Sequence, residues 1–563
     1  MKVKKSKNNK MDNIYPKYKL VIPILMCMYM ITSLFVEGIG NKSVLLTITC
    51  VSMVAWFIGE RIFPEKIYRD SKGAISKWIY ILLGIFLIAV VLSEIFAKDY
   101  SDSVLIGEGE SIVNIFCYII LFYMAYKYAD GEKNQKIFRL AIITLCVLCV
   151  VMSMIEFFDI PLAKIWNNSG ESLSDINRVV LSFGNSNYYG AFCGILLPFA
   201  VKLWIDAEDK IRKIAYIVLN AALICCIFMS KSTMAVFLMI LVMVGTSLYY
   251  FKDVLKRWKY MLIFIVTLII EILVINICSG GKLLQLINIG ISNNDAFKEE
   301  NQEKYIIEDI KLNGNRLIIE GVDSKFIIEY NNQFIFLDGE GQILDINTED
   351  NVIRFVEKPY DGIEVMVSYN RTVNMVLVEV DAGYKDTVDF YIANGEFKGV
   401  GADGKAVDDI SGKYTDHKMK SLFTGRGYIW INIVPILDEV IFIGKGSGNF
   451  VNVFKQYDYV GLLKSQGTSN IIIDRPHNMF LQYSMDIGVV GTVALFGMIM
   501  IILCKWVREN VKRGRDNRLM SYPTFAGIVV FLMFSMLNDS LVILSPYMWL
   551  GLGLNLGLPH DKK

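Results

Sequence analysis

The residue best suited to acid–base chemistry is a histidine in the stretch Asp474-Arg475-Pro476-His477-Asn478. Its imidazole can act as a general base near neutral pH, because the unperturbed pKa of histidine is about 6.5. Composition alone favours a simpler role, that of a helix-entry residue bonding local backbone. The other two histidines, His417 in a polar stretch and His560 near the C-terminus, are most simply solvated surface residues. His477 is therefore the candidate catalytic base.

Four cations are candidate ligands for a phosphate group, and these are Arg178, Lys231, Arg426 and Arg475. A guanidinium group can bind two phosphate oxygens at once, whereas lysine supplies the charge without the planar geometry. Taken singly, each of these residues is more simply explained by contact with lipid headgroups or with surface acids. Their location in stretches that are otherwise poor in basic residues is what makes them candidates.

No residue pattern predicts a metal or a nucleotide cofactor. One histidine cannot form a zinc site, and no cysteine or histidine cluster accompanies His477. The stretch from Gly444 to Gly448 is rich in glycine, but it lacks the spacing of a phosphate-binding loop and follows no βαβ pattern. We interpret it as a turn between two amphipathic helices, and we expect no cofactor.

The elements that must position these residues are membrane-spanning helices. The chain has 563 residues, of which 54% are hydrophobic, and its mean hydropathy is +0.43. About twenty apolar residues are needed for a helix to cross the hydrocarbon core. Twelve segments meet that description, and they are 19–37, 42–60, 78–97, 110–126, 139–158, 187–205, 214–230, 233–251, 260–279, 486–505, 521–540 and 546–559. The sequence predicts an all-α polytopic membrane protein.

Loop charge predicts the orientation of these helices, because Lys and Arg resist translocation. If the N-terminus is cytoplasmic, the cytoplasmic segments hold 32 Lys and Arg residues and the short outer loops hold 5. The sequence thus predicts a multi-pass protein of the cell membrane whose two termini are cytoplasmic. Residues 280–485 then form a long extracytoplasmic segment. The ten cysteines lie in or beside the predicted spans, where they act as small apolar packing residues rather than as disulfides.

The long outer segment contains an insertion with a β pattern. Apolar and polar residues alternate from 303 to 408 between turn signals such as Asp338-Gly339 and Asn394-Gly395, which predicts a small antiparallel β-sandwich. A helical pattern follows, with its apolar side formed by Ile429, Trp430, Ile433, Val434 and Leu437. The predicted domains are 1–279 with spans one to nine, 280–302 as a linker, 303–408 as the β-rich insertion, 409–485 as an amphipathic helical loop, and 486–563 with spans ten to twelve.

Three stretches in this order resemble the O-antigen ligase and O-antigen polymerase family of membrane glycosyltransferases. They are Arg178 with Phe183-Gly184-Asn185-Ser186-Asn187-Tyr188 and Leu197-Pro198; Gly425-Arg426 with Trp430, Ile443-Gly444-Lys445-Gly446 and Asn449-Phe450; and His477-Asn478 with Leu481-Gln482 and Asp486-Ile487-Gly488. The chain differs from the family at Lys231, where arginine is usual, and at Asp486, where glutamate is common. The β-rich insertion is not part of the family pattern.

The resemblance implies transfer of a glycan from a polyprenyl-diphosphate carrier to an acceptor hydroxyl outside the cytoplasmic membrane. Arg178 and Arg426 would then bind the diphosphate, with Lys231 or Arg475 assisting, and His477 would activate the acceptor hydroxyl. Asn185 and Asn187 would contact the substrate, while Asn478 would orient the sugar or the imidazole. The partners implied are a lipid-linked oligosaccharide, a glycan, lipid or wall-polymer acceptor, and membrane lipids.

Other functions remain open at this stage. A transporter or flippase for a lipid-linked glycan would be expected to have two similar halves, which the sequence does not have. A receptor that displays the β-rich insertion would explain the insertion but not the placement of Arg178, Arg426 and His477. Within the enzyme interpretation, a polymerase and a ligase would share the same donor site.

The net charge of +1 hides a separation of charge along the chain. Residues 301–410 carry a balance of −12, and the remainder carries +13. The cationic part matches cytoplasmic loops that lie against anionic lipid headgroups. The acidic part predicts a water-soluble outer block that avoids the membrane surface, and no nucleic-acid partner is expected.

Overall fold

The computed structural model describes residues 17–62, 76–97, 110–166, 178–284, 305–349, 352–384, 386–401, 404–410 and 425–558. His417, His560 and most of the predicted linker over 280–302 lie outside these ranges. The chain forms two compact units. The helical unit comprises 1–293, 442–448 and 487–563. The second comprises 294–441 and 449–486, and we call it the outer unit after the location that the sequence predicts for it.

A helix occupies each of the twelve apolar segments predicted from the sequence. The helices of the helical unit are Val21–Thr32, Ile39–Ile62, Lys77–Ile95, Ile112–Tyr128, Glu132–Phe157, Ser186–Asp206, Lys210–Met229, Thr233–Tyr249, Phe251–Lys256, Trp258–Cys278, Val489–Arg513, Tyr522–Phe534 and Ser545–Gly557. Three 3₁₀ turns adjoin them, at Lys17–Leu20, Pro161–Ile165 and Leu181–Phe183.

Seven helices in the described part of the chain are long and apolar enough to cross a membrane. They include Ile39–Arg61, Glu132–Phe157 and Trp258–Cys278, whereas four further apolar helices are shorter. Val21–Thr32, for example, has 12 residues, which at 1.5 Å per residue gives only about 18 Å of helix. The protein therefore combines seven candidate membrane spans with a separate β-sheet region.

The last helix is buried against another helix through glycines. A Cβ atom on Gly553 would lie 2.3 Å from the Phe122 carbonyl oxygen, and one on Gly557 would lie 2.2 Å from that of Tyr126. Small residues let helix backbones approach closely where water does not drive association. The ten cysteines are unpaired, and eight of them are buried, as expected for packing residues.

Two antiparallel sheets confirm the predicted β-rich region. The strands are β1 (Ile307–Asn313), β2 (Arg316–Gly321), β3 (Lys325–Tyr330), β4 (Phe334–Leu337), β5 (Ile346–Glu349), β6 (Val352–Phe355), β7 (Glu364–Asn370), β8 (Met375–Asp381), β9 (Val388–Ala393), β10 (Glu396–Val400) and β11 (Ala406–Val407). Strands β1 to β4 form one sheet and β5 to β11 the other, each with neighbours in sequence order. Phe326 of one sheet and Phe390 of the other lie in a single buried core, which makes the region a sandwich.

The outer unit also contains helices that follow the sandwich in sequence. They are Arg426–Ile433, Phe450–Val453, Tyr459–Gln466 and Met479–Ile487, with 3₁₀ turns at Tyr360–Gly362 and Val434–Val440. The first is shorter than the apolar pattern predicts, since the chain leaves the α-helix at Val434, whose side chain is 60% exposed. Pro435 accounts for the change to the 3₁₀ turn, because proline has no N–H to continue the α-helical hydrogen bonds, while Val434 itself keeps α dihedrals, with φ −48° and ψ −45°.

The sandwich and these helices share one core. Tyr459 and Leu463, both on the Tyr459–Gln466 helix, are buried in the same cluster as the sandwich side chains. The Tyr459 hydroxyl accepts a hydrogen bond from the Val400 amide at 2.6 Å and lies 2.8 Å from the Val400 carbonyl oxygen. The insertion is therefore anchored to the Tyr459–Gln466 helix, whose Gln466 side chain bonds to the residue before Arg426.

Candidate functional site

In the helical unit, one backbone hydrogen bond places Arg178 beside the turn that carries Lys231. The Val179 amide donates to the carbonyl oxygen of Met229 at 3.0 Å, and Met229 lies two residues before Lys231. The side chain of Arg178 is exposed. The structure therefore brings two of the predicted phosphate ligands to the same edge of this unit.

A buried carboxylate fixes the segment that follows Arg178. Glu156 accepts hydrogen bonds from the amides of Val180 at 2.7 Å and Leu181 at 3.1 Å, and from the indole of Trp166 at 3.2 Å. Leu181 has a φ of 49°, a conformation that costs a residue with a Cβ atom roughly 1–2 kcal/mol. These bonds hold the chain in a turn that it would not adopt by propensity.

The side chains of Asn185 and Asn187 both form hydrogen bonds at the starts of helices. Asn185 caps the Ser186–Asp206 helix by accepting from the Asn187 amide at 2.8 Å. The Asn187 Oδ1 atom accepts from the Ser232 hydroxyl at 2.7 Å, and Ser232 in turn caps the Thr233–Tyr249 helix. The side chains of Asn185 and Asn187 thus connect the start of the Ser186–Asp206 helix to that of the Thr233–Tyr249 helix through their oxygen atoms. The NH₂ groups of the same side chains are the parts suited to substrate contact.

Lys231 projects from the tight turn between the Lys210–Met229 and Thr233–Tyr249 helices. Its φ is 53°, which lies in the left-handed region. Gly190 allows this turn to pack closely, because a Cβ atom there would lie 2.8 Å from the Ser230 hydroxyl and 2.5 Å from the Ala235 Cβ.

Lys42 supports the same edge and was not singled out by sequence reasoning. Its ammonium group is buried, donates to the Ser33 carbonyl oxygen at 2.6 Å and to the Ser182 hydroxyl at 3.1 Å, and lies 5.2 Å from the centre of the Phe183 ring. Ser182 and Phe183 belong to the turn that follows Arg178. The available sequence signal was the isolated position of Lys42 in a short, otherwise uncharged stretch.

In the outer unit, Arg426 begins a helix whose start requires glycine. Gly425 has a φ of 85°, and a Cβ atom on it would lie 2.5 Å from the Ser465 carbonyl oxygen. The Gln466 side chain donates to the Gly425 carbonyl oxygen at 3.2 Å. This packing fixes the position from which Arg426, itself half-buried, extends.

The loop with His477 is tied to the helix with Arg426. The indole of Trp430 donates to the carbonyl oxygen of Pro476 at 2.9 Å. His477 itself has a φ of 51° and a half-buried side chain. Asn478 caps the following helix, since its Oδ1 accepts from the amides of Phe480 at 2.9 Å and Leu481 at 3.1 Å.

Two aspartates of the outer unit, Asp474 and Asp458, each bind a neighbouring side chain. Arg475, whose side chain is 20% exposed, pairs with its neighbour Asp474 at 3.3 Å, and that carboxylate competes with any phosphate for the guanidinium. Burial raises the pKa of Tyr428, and the adjacent Asp458 raises it further. The Tyr428 hydroxyl therefore stays protonated and donates to Asp458 at 3.0 Å.

The glycine-rich stretch 444–448 belongs to the helical unit and is a turn. The Gly444 amide donates to the Ser93 hydroxyl at 2.7 Å, and the Ser447 amide donates to the Glu94 carboxylate at 2.9 Å. A loop whose amides bind a carboxylate of the protein is occupied by that contact. Ser93 and Glu94, at the end of the Lys77–Ile95 helix, were not identified from the sequence.

The residues thus fall into two groups, one in each unit: Arg178, Asn185, Asn187 and Lys231 in the helical unit, and Arg426, Arg475, His477 and Asn478 in the outer unit. Within the described residues, no group of three or more His, Cys, Asp or Glu side chains is placed to hold a metal ion. The seven long apolar helices are compatible with a membrane-embedded protein. No protein-family model, curated protein or solved structure matches the chain.

Proposed function

We propose that the protein is a membrane glycosyltransferase that moves a glycan from a polyprenyl-diphosphate carrier to an acceptor hydroxyl. In this proposal twelve helices cross the cell membrane, both termini are cytoplasmic, and residues 280–485 are extracytoplasmic. The charge asymmetry of the loops and the helix found in each apolar segment support this topology.

The observation that carries the proposal is the loop of the outer unit with His477. Its histidine has a left-handed backbone conformation, the loop is held by Trp430, and Arg426 begins the helix that holds it. Non-glycine residues in this conformation are uncommon and cluster at functional sites. A base and a guanidinium supplied by connected elements are what activation of a hydroxyl beside a phosphate requires.

The chemistry follows from the charges that develop during transfer. Breaking the bond between the anomeric carbon and the phosphate oxygen leaves a diphosphate with added negative charge, which fixed cations stabilise. We assign this role to Arg178 and Arg426, assisted by Lys231 or Arg475. His477 accepts the proton of the acceptor hydroxyl as that oxygen attacks the anomeric carbon.

The test separates the imidazole from the backbone conformation. Asparagine tolerates the left-handed region and glycine adopts it freely, so His477→Asn and His477→Gly remove the base while keeping the loop. We expect both to lower glycan transfer by on the order of a hundredfold to ten-thousandfold, and His477→Ala to destabilise the loop as well. Purified protein would be incubated with a lipid-diphosphate oligosaccharide.

A matched control is His417→Asn, at a histidine that the sequence predicts to be solvated, which should transfer at the wild-type rate. Wild-type transfer by His477→Asn would refute the proposed base. Arg178→Lys and Arg426→Lys should retain more transfer than the corresponding Met variants, because charge is kept while bidentate binding is lost. Ladder formation without added acceptor would identify a polymerase, and its absence would favour a ligase.

A further inference from the structure

An apolar segment is exposed where the chain passes from the outer unit into the helical unit. Ile441 is the last residue before this crossing, and Phe442 is the first residue after it. The Phe442 side chain is 74% exposed, Ile441 is also exposed, and Ile443 is half-buried. Single exposed apolar residues are ordinary on a protein surface, so the location of this segment decides what it means.

Two hydrogen bonds attach the residues after Phe442 to one end of a long apolar helix. The Gly444 amide donates to the Ser93 hydroxyl at 2.7 Å, and the Ser447 amide donates to the Glu94 carboxylate at 2.9 Å. Phe442 precedes Gly444 by two residues, which span at most about 7 Å of chain. The backbone of Phe442 therefore lies close to the end of the helix that carries Ser93.

That helix, Lys77–Ile95, sets the depth at which the segment meets the membrane. It is one of the seven candidate spans, and its 19 residues give about 28 Å of helix, close to the thickness of about 30 Å of the hydrocarbon core. Ile95 and the following Phe96 are both exposed, so apolar surface continues to the end of the helix. A segment bonded to Ser93 then lies near the boundary between hydrocarbon and headgroups.

The polarity of the exposed side chains changes sharply just before this boundary. Asp438 and Glu439, near the end of the Val434–Val440 turn, are exposed acids. Within three residues the exposed side chains become apolar, and Ile441-Phe442-Ile443 contains no charge. Carboxylates lose hydration in hydrocarbon, whereas apolar side chains leave water favourably. The change is the one expected of a chain that passes from water into a membrane surface.

We propose that Phe442, with Ile441 beside it, inserts into the lipid bilayer at the end of the Lys77–Ile95 span and anchors the loop 442–448 at the membrane surface. The partner is the bilayer at the depth where acyl chains meet headgroups, which is where the apolar side chains of interfacial segments lie. This anchoring is independent of the proposed glycan transfer. It gives the loop a second attachment besides its bonds to Ser93 and Glu94.

The first test measures what surrounds position 442 in the full-length protein. Phe442→Cys carries a nitroxide spin label, in a chain whose two exposed cysteines are replaced by Cys278→Ser and Cys504→Ser. The protein is placed in nanodiscs of phosphatidylethanolamine and phosphatidylglycerol. Oxygen concentrates in hydrocarbon and a charge-neutral nickel chelate stays in water, so the ratio of their effects on spin relaxation distinguishes the two environments.

Two sites of similar exposure serve as matched references. Ile88 is 61% exposed near the middle of the same span, and Val356 is 68% exposed after β6 of the sandwich. The oxygen-to-nickel ratio at 442 should be several times that at 356 and lower than that at 88, because position 442 is shallower. Preferential relaxation by nickel at 442 would place Phe442 in water and refute the proposal. Protection from both reagents would show that protein, such as a second copy of the chain, covers it, and would equally overturn the proposal.

The second test needs no substitution. The wild-type protein is placed in nanodiscs with a phosphatidylcholine whose acyl chain carries a diazirine either near the ester or at the methyl end. After irradiation, the ester-end probe should label the peptide with Phe442 more strongly than the methyl-end probe does, and the order should be reversed for the peptide with Ile88. Absence of label at Phe442 with both probes, while Ile88 is labelled, would contradict insertion. A preference for the methyl-end probe at Phe442 would overturn the proposed depth.

Discussion

Replacing Trp430 by phenylalanine tests whether the position of His477 depends on a single contact across the outer unit. The substitution keeps an aromatic side chain on the Arg426–Ile433 helix but removes the indole N–H that donates to the Pro476 carbonyl oxygen at 2.9 Å. Pro476 is buried, so water does not readily replace the lost donor. Because His477 directly follows Pro476, the loop should leave its observed conformation more often.

The size of the effect follows from the cost of an unpaired buried carbonyl group. A typical hydrogen bond contributes about 0.5–1.5 kcal/mol, and leaving a buried partner unsatisfied costs about 1–3 kcal/mol. A net loss of about 1–2 kcal/mol raises the ratio of open to observed loop by a factor of about 5–30. If His477 must occupy this conformation to act as a base, transfer should fall with the population of the observed loop, and by the full factor where the open loop becomes the major state.

Two measurements on the same purified protein check this reasoning. Amide hydrogen exchange should report faster opening at Phe480 and Leu481, whose amides bond to Asn478 in the adjoining cap. Glycan transfer from a lipid-diphosphate donor should fall in parallel. Trp506→Phe is the matched control, because its indole donates to the Ser521 hydroxyl at 3.0 Å in the helical unit, and its loss should leave transfer unchanged.

One outcome would refute the reasoning directly. If exchange shows that the loop opens more often in Trp430→Phe while transfer stays at the wild-type rate, the position of His477 does not limit the reaction. An equal loss of transfer in Trp430→Phe and Trp506→Phe would instead show that general destabilisation is responsible.

Three further substitutions test other parts of the structure. Tyr459→Phe leaves the Val400 amide without its hydroxyl partner and should lower the stability of the outer unit to urea by about 1–3 kcal/mol, measured by pulse proteolysis. Glu379 lies directly opposite Asp389 across β8 and β9, and burial raises the pKa of both carboxyls. The folded state therefore keeps protons that the unfolded state releases, so stability falls as the pH rises above about 4, the ordinary pKa of these carboxyls, and Glu379→Gln should flatten that dependence in the same assay. Lys42→Met should lower transfer by about fivefold, because Ser182 loses its donor, while thermal stability is unchanged or higher because a buried charge is removed; a large loss of stability would contradict this.

Much of the fold could be predicted because hydropathy and alternation are local properties. A helix occupies every predicted apolar segment, and the strands lie in the predicted insertion. The apolar pattern that runs through Val434 and Leu437 covers both the α-helix Arg426–Ile433 and the 3₁₀ turn Val434–Val440 that follows it, because apolar periodicity does not distinguish the two kinds of helix. The change falls at Pro435, which has no N–H to continue the α-helical hydrogen bonds.

The geometry of the candidate site could not be predicted, because it depends on contacts between residues distant in sequence. Trp430 and Pro476 are separated by 46 residues, and Lys42 and Ser182 by 140. The left-handed backbone conformation of His477 could not be predicted from its residue type, because histidine only tolerates that region somewhat better than most residues do. Residue types identified the candidates, but only the fold shows which side chains are held and which are engaged as helix caps.

The shared core of the outer unit bears on how the β-rich insertion should be tested. If the insertion were a separable receptor domain, its deletion would leave the helices with Arg426 and His477 intact. Tyr459 and Leu463 instead complete the core of the sandwich, and burial of a leucine alone contributes about 1.5–3 kcal/mol. Deletion would expose both side chains and loosen the Tyr459–Gln466 helix, whose Gln466 bonds to the residue before Arg426. Loss of function on deletion would therefore follow for an enzyme and a receptor alike, and only the point substitutions at His477 and Trp430 distinguish the two.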